Sequence, residues 1–260
     1  MTLTTDLPPT DELFREDATL LQCDATVLAV DGASVLLDRT VCYPLGGGQA
    51  GDSGALRAAD GSGRHVTITD TRKHKGADGT PSGAIAHVLA DDADAAWLTP
   101  GTRVTVHVDA ARRRAHMRFH TATHLLCALL PHPVDGCSIT ERYARLDFHT
   151  DEPIDKVAVT EGLARLVGGA TPVRHRWIDE AELDAHPELV RSMSVQPPRG
   201  LGRVRVIDIA GVDLQPCGGT HVANTAEVGA VVVTKVEKKS AMTRRVVLGF
   251  ADGDAQPVAR

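Results

Sequence analysis

Aromatic side chains are scarce: Phe, Trp and Tyr together make up 3% of the 260 residues, so a core has to be filled by Val, Leu, Ile and Ala. The same scarcity argues against a module that grips single strands by stacking bases on aromatic platforms. No run of about 18 apolar residues occurs, which excludes a membrane-spanning helix. The opening segment, MTLTTDLPPTDELFRED, is acidic and has no apolar stretch, so it does not read as an export signal. The five cysteines (23, 42, 127, 137 and 217) are odd in number, and no disulfide framework is expected. A cytoplasmic location, where thiols stay reduced and open to metals, is the resulting expectation. There is no cationic excess either. Twenty-eight Lys and Arg against 34 Asp and Glu leave a net charge of -6, so nucleic acid could be held only by a local basic patch.

What is present falls into two patterns. Residues 1–17 are polar and contain proline, and are expected to be loosely held. From Leu20 to Val108, short β-branched or alternating segments (LLQCDATVLAV, SVLLD, TVCYP, HVTITDT, GAIAHVL, RVTVHVD) are punctuated by Gly, Asp and Ser. They read as an all-β unit, expected to be a small barrel. At Asp109 the period changes. DAARRRAHMRFHTATHLLCALL predicts a helix with Asp109 as N-cap and Pro131 beyond its end. Met117, Ala122 or Thr121, Leu125, Cys127 and Leu129 supply its apolar stripe.

Downstream, GCSITERYARLDFH predicts a hairpin, IDKVAVTEGLARLVGG a helix ending in glycines, and PVRHRWI a strand. DEAELDAH predicts a short helix stopped by Pro187, RVRVIDI, EVGAVVVTKVE and RRVVLGF further strands, and ADGDAQPVAR a frayed tail. The expected fold class is therefore α+β. A β-barrel-like unit over 1–108, holding the glycine-rich motif, precedes a unit over 109–260 with helices packed on a mostly antiparallel sheet.

Two segments carry chemistry. His120 and His124 stand four apart in HTATH, one turn apart on one helix face, where two imidazoles can share a metal. Far downstream, CGGTH offers Cys217 and His221, with two glycines that let the backbone turn tightly. Three nitrogens and one sulfur form a donor set suited to Zn²⁺. Position 121 is Thr, so the glutamate base of an HExxH peptidase is absent, and no deaminase pattern is present. Four protein ligands close a structural zinc, whereas catalysis needs an open position. Either one ligand yields to water, or coordination expands with substrate, or the metal only positions the substrate. Cys23, Cys42, Cys127 and Cys137 read as small apolar residues.

RRRAHMRFHTATHLL and DLQPCGGTHVANTAEVG together resemble the editing domain of alanyl-tRNA synthetases and the free-standing AlaX-type editing proteins. YPLGGGQAGDSG resembles the glycine-rich motif of the longer AlaX forms, which carry an N-terminal β-barrel. ERYARLDFH and KKSAMTRRVVL follow in the same order, so the resemblance spans about residues 20–250. Ala50 stands where the family commonly has proline, and KKSAMTRR replaces a lysine- and glycine-rich stretch.

The resemblance implies hydrolysis of the ester joining a wrong amino acid, mainly serine with glycine as a second candidate, to the 3′ end of tRNA(Ala). It implies zinc ligands at His120, His124, Cys217 and His221, and places Thr123 in the amino-acid pocket. A hydroxyl there can pair with that of serine, although a helix threonine can equally bond back to a carbonyl one turn earlier. Gly46, Gly47, Gly48 and Gln49 are expected to form a loop over the zinc pocket. No synthetase core precedes the motifs, so editing in trans is expected. Arg112, Arg113, Arg114 and Arg118, with Lys235, Lys238, Lys239, Arg244 and Arg245, are expected to offer a phosphate-binding rim to the tRNA acceptor end. No membrane or DNA partner is expected. The competing readings are a zinc hydrolase of another small ester and a non-catalytic RNA-binding module with structural zinc.

Overall fold

The structure is a computed structural model that describes residues 7–251, apart from 77–78, 91–94, 195, 198 and 201. It is a mixed α and β protein with mostly antiparallel sheets and few helices. It divides into two compact units. The first comprises Met1–Gly46 and Ala50–Arg114, the second Gly47–Gln49 and Ala115–Arg260. The expected 1–108 and 109–260 division differs in two respects. The change of unit falls inside the long helix, and Gly47–Gln49 of the glycine-rich motif belong with the second unit. The reason for the latter is local: the Ile139 amide donates to the Gly48 carbonyl (2.8 Å), and Gln49 bridges to Ile139.

In the first unit, six strands pair antiparallel: β2 (Gln22–Asp31), β3 (Ser34–Leu37), β5 (Gly54–Ala58), β6 (His65–Lys75), β7 (Pro81–Leu89) and β8 (Arg103–Val108). Their order is β2-β3-β7-β6-β5-β8, and β8 returns to β2, so the sheet closes as a barrel with no free edge. Side chains alternate in and out along each strand. Ala25 and Val27 on β2, Val66 and Ile68 on β6, and Val104, Val106 and Val108 on β8 belong to one buried cluster. It is built almost wholly from aliphatic residues, as the lack of aromatics requires.

Two expectations fail in this unit. Residues 7–17 are not loose: β1 (Asp11–Glu12) pairs in parallel with β4 (Arg39–Thr40), and buried Phe14 meets Tyr43 edge-on at 5.4 Å. Residues 1–6 lie outside the described residues, as does most of the tail expected to fray. TVCYP is not a strand beyond Thr40, because its backbone groups are captured elsewhere. The Tyr43 amide donates to Asp52 Oδ2 (2.7 Å), the Cys42 amide to Thr40 Oγ1 (3.0 Å), and the Val41 carbonyl accepts from Arg113.

Arg113, expected on a basic rim, is instead buried and ion-paired with buried Asp52. Removing one partner of such a pair strands a charge in the interior. Asp52→Ala is expected to destabilise the protein by about 3–5 kcal/mol, read as a lower urea midpoint. An unchanged midpoint would contradict this account of the segment.

The long helix α1 (Ala110–Leu129) begins at Asp109, whose side chain accepts from the Arg112 amide (3.0 Å), and its residues from Ala115 onward belong to the second unit. β9 (Val134–Ile139) and β10 (Ala144–His149) form the expected hairpin. With β14 (Val231–Lys238) and β15 (Thr243–Phe250) they make an antiparallel sheet in the order β14-β15-β10-β9. α2 (Lys156–Gly168), N-capped by Asp155, packs against β14. β11 (Val173–Asp179), β12 (Arg203–Ile209) and β13 (Asp213–Pro216) form a second antiparallel sheet, with α3 (Glu180–Ala185) beside β11 and β12. Among the described residues, no helix is long and apolar enough to cross a membrane.

Residues 119–127 of α1 are all buried, not only along one stripe. A helix buried all round obliges every polar side chain on it to find a partner. That half of α1 carries His120, Thr121, Thr123 and His124.

Candidate metal centre

The four residues singled out by spacing come together. His120 and His124 on α1, and Cys217 and His221 on the loop after β13, present one ligand atom each, all within 4.8 Å of one another. Cys217 Sγ lies 3.4 Å from His120 Nε2 and 3.3 Å from His221 Nε2. Zinc–sulfur and zinc–nitrogen bonds of about 2.3 and 2.0–2.1 Å at a tetrahedral angle put S and N about 3.5 Å apart. The spacing and the donor chemistry both fit Zn²⁺.

The other ring nitrogen of each histidine is also held. His124 Nδ1 donates to Asp213 Oδ2 (2.7 Å), and Gln215 Nε2 donates to both oxygens of that carboxylate (2.8 and 3.0 Å). His120 Nδ1 lies 2.7 Å from Gln49 Oε1, and His221 Nδ1 lies 3.2 Å from Thr121 Oγ1. Thr121 Oγ1 also accepts from the Val222 amide (3.3 Å). Ligand histidines held in this way have a fixed orientation and tautomer. Asp213, Gln215 and Thr121 are missing from the site as read from sequence. The available signals were weak: a carboxylate four residues before Cys217, and a hydroxyl between the two histidines of one helix.

The loop is shaped from beneath and within. Arg205 Nη1 on β12 donates to the Cys217 and Gly219 carbonyls (2.9 and 3.1 Å), while the Cys217 amide donates to the Arg205 carbonyl (3.1 Å). Nothing in an alternating strand sequence singles out this arginine. A Cβ on Gly219 would stand 2.1 Å from His120 Cε1, so the loop reaches the imidazole only because this residue has no side chain.

The cysteines separate by environment. Burial pushes the Cys42, Cys127 and Cys137 thiols up to about 12 and the Cys23 thiol up to about 11, as suits inert apolar residues. Burial also opposes a thiolate at Cys217, but His120 and His221 beside it hold that thiol well below its ordinary value. Burial, then the His120 charge, holds His221 well below the imidazole range, in the neutral form a metal needs. Burial opposes charge on His124 too, yet the bonds to Asp213 and Cys217 raise it to about 10. A metal taking His124 therefore displaces a proton.

The remaining sequence-predicted residues are placed as follows. Thr123 is buried, and its hydroxyl donates to the His120 carbonyl (2.7 Å). Gln49 is buried, its side chain turned to His120 and Thr220. Gly46 accepts from the Tyr43 hydroxyl in the first unit (2.8 Å), whereas Gly47 and Gly48 belong to the second unit, with Gly48 against Cys137.

The basic residues do not form one free set. Arg118 Nε donates to the Val228 carbonyl (2.8 Å), and its guanidinium covers the Phe250 ring at 3.7 Å. Arg244 is buried and donates to the Ser240, Ala241 and Asp151 carbonyls. Arg245 pairs with Asp147 through two bonds (2.7 and 2.8 Å). Arg112 donates to the Gly51 carbonyl (3.2 Å), and Lys235 pairs with Glu237 (2.6 Å). Arg114, Lys238 and Lys239 are exposed.

Residues 204–247 match the family model described as the threonyl and alanyl tRNA synthetase second additional domain, a span that contains Cys217 and His221. An alanyl-tRNA editing protein AlaX-M of Methanosarcina barkeri is 31% identical over 252 residues, covering 94% of this chain and 100% of that protein. The AlaX-M of Saccharolobus solfataricus is 27% identical over 241 residues, 91% of this chain and 97% of that protein. An alanine–tRNA ligase of Metallosphaera sedula is 34% identical over 242 residues, 90% of this chain but 25% of the ligase.

Proposed function

Because this chain belongs to the family of AlaX-M alanyl-tRNA editing proteins, we propose that it is a zinc-dependent deacylase acting in trans on mischarged tRNA(Ala), mainly the seryl form. The observation that carries the reading is the convergence of three imidazoles and one thiol, each imidazole backed through its second nitrogen. Acting on charged tRNA, it would work in the cytoplasm.

An aminoacyl ester is already activated, so positioning it beside water supplies much of the rate. When bound, a zinc ion supplies Lewis-acid polarisation or a fixed point of orientation. The chain supplies the rest. Asp213, Gln49 and Thr121 hold the ligand rings, and Arg205 with Gly219 holds the loop against them. Lys238 and Lys239, exposed, are assigned to phosphates of the acceptor end. Arg118, Arg244 and Arg245 are assigned to holding the fold.

Selectivity is assigned to Thr123. Its proton is committed to the His120 carbonyl, which leaves the oxygen as an acceptor for the serine hydroxyl. Alanine would leave that acceptor unpaired. Thr123→Val is expected to slow deacylation of Ser-tRNA(Ala) about 5- to 150-fold, from a loss of ~1–3 kcal/mol. Ala-tRNA(Ala) should remain as resistant as before. Equal slowing of both substrates would remove Thr123 from the selectivity account.

The closed four-ligand set favours one competing reading, a structural zinc in a non-catalytic RNA-binding module. Deacylation of Ser-tRNA(Ala) by the zinc-loaded protein separates the two. Turnover supports editing, and an intact ester after prolonged incubation overturns it. Hydrolysis of a free serine ester at the same efficiency would instead indicate a small-ester hydrolase.

A further inference from the structure

The glutamine of the glycine-rich motif lies among the metal ligands, not over them. Gln49 is fully buried. Its backbone is fixed on β9 by the bridge to Ile139 and by the bond from the Ile139 amide to the Gly48 carbonyl. Gly48 makes that approach possible. It holds φ +85°, where side chains are strained, and a Cβ there would stand 2.7 Å from Cys137 Sγ.

The three bonds of the Gln49 side chain define which atom is which. The Thr220 amide can only donate, and it meets Oε1 at 3.2 Å, so that atom is the oxygen. Nε2 then donates to Thr220 Oγ1 (2.9 Å). The same oxygen stands 2.7 Å from His120 Nδ1, which must therefore carry the proton. In the neutral form that a metal binds, the lone pair is then on Nε2, the atom 3.4 Å from Cys217 Sγ.

We infer that Gln49 is a positioning residue of the metal centre. Its amide oxygen selects the Nδ1–H tautomer of His120 and aims Nε2 at the donor set. Its amide also pins the CGGTH loop through Thr220, so one side chain sets the registry of ligands 97 residues apart. The glycine-rich motif thus serves zinc affinity. The inference rests on reading this cluster as a metal centre, and it is tested without tRNA, so failure of the editing reading would leave it standing.

The test is zinc affinity by chelator competition, with Co²⁺ absorption as a report on ligand geometry, for Gln49→Leu and Gln49→Glu. Leucine removes the acceptor while roughly keeping the volume, and zinc should bind about 10- to 100-fold more weakly, with an altered Co²⁺ spectrum. Glutamate keeps an acceptor for His120 Nδ1 and for the Thr220 amide and hydroxyl. Its affinity should stay within about threefold of wild type, with an unchanged spectrum. Circular dichroism of the metal-free proteins identifies a folding failure, in which case the glutamate variant decides alone. Wild-type affinity in a folded Gln49→Leu would overturn the inference. So would a folded Gln49→Glu that loses affinity as leucine does, since shape and not the acceptor would then matter.

Discussion

Cys217→Ala is expected to bind zinc at least about 100-fold more weakly and to lose Ser-tRNA(Ala) deacylation at ordinary zinc concentrations. A four-ligand zinc site is worth about 10–16 kcal/mol, so one ligand carries ~3 kcal/mol, and each 1.4 kcal/mol is tenfold. Cys217 is expected to exceed this average share because it is the only thiolate among three imidazoles. Its charge is what makes the cluster favourable in a buried setting, as the lowering of its own thiol by His120 and His221 indicates. Chelator competition and a single-turnover deacylation assay read the two losses. A variant that keeps wild-type zinc affinity would remove the loop from the metal centre. One that keeps its rate after zinc is stripped would remove the metal from the chemistry.

Gly219→Ala should be nearly as damaging, although it deletes no ligand. The added methyl would stand 2.1 Å from His120 Cε1, 2.4 Å from His120 Nδ1 and 3.0 Å from Gln49 Oε1. None of these can give way cheaply. The ring sits on a helix segment buried all round, is held at Nδ1 by Gln49, and the loop is held from beneath by Arg205. Overpacking of this kind costs about 1–3 kcal/mol in stability. Any relief moves Cys217 away from His120, so zinc affinity is expected to fall about 100-fold. Gly168→Ala, near the end of α2 where a Cβ meets open space, is the control and should leave zinc affinity unchanged without lowering stability. Full zinc affinity in Gly219→Ala would mean that the loop and the imidazole are less closely fitted than the structure shows.

The four residues of the cluster were legible in the sequence because both halves are local: a four-residue spacing on a helix, and a Cys–His pair around two glycines. Their outer partners were not. Gln49 meets Thr220 across 171 positions and Asp213 meets His124 across 89, distances over which no periodicity operates. The mixed class with mostly antiparallel sheets was legible from the alternation of helix and strand patterns after Asp109. TVCYP was misread because β-propensity describes side chains, whereas here Arg113, Asp52 and Thr40 capture the backbone. Charge was the least informative signal. Arg113, Arg244 and Lys238 look alike in a basic run, yet the first two are buried and the third is exposed.

X-ray absorption at the zinc edge, on protein purified without added chelator, bears most directly on the whole account. One zinc per chain, with one sulfur and three nitrogen or oxygen neighbours, is the expected first shell, and Cys217→Ala should lose the sulfur. A chain that retains no zinc after reconstitution, or a zinc with no sulfur neighbour, would contradict it.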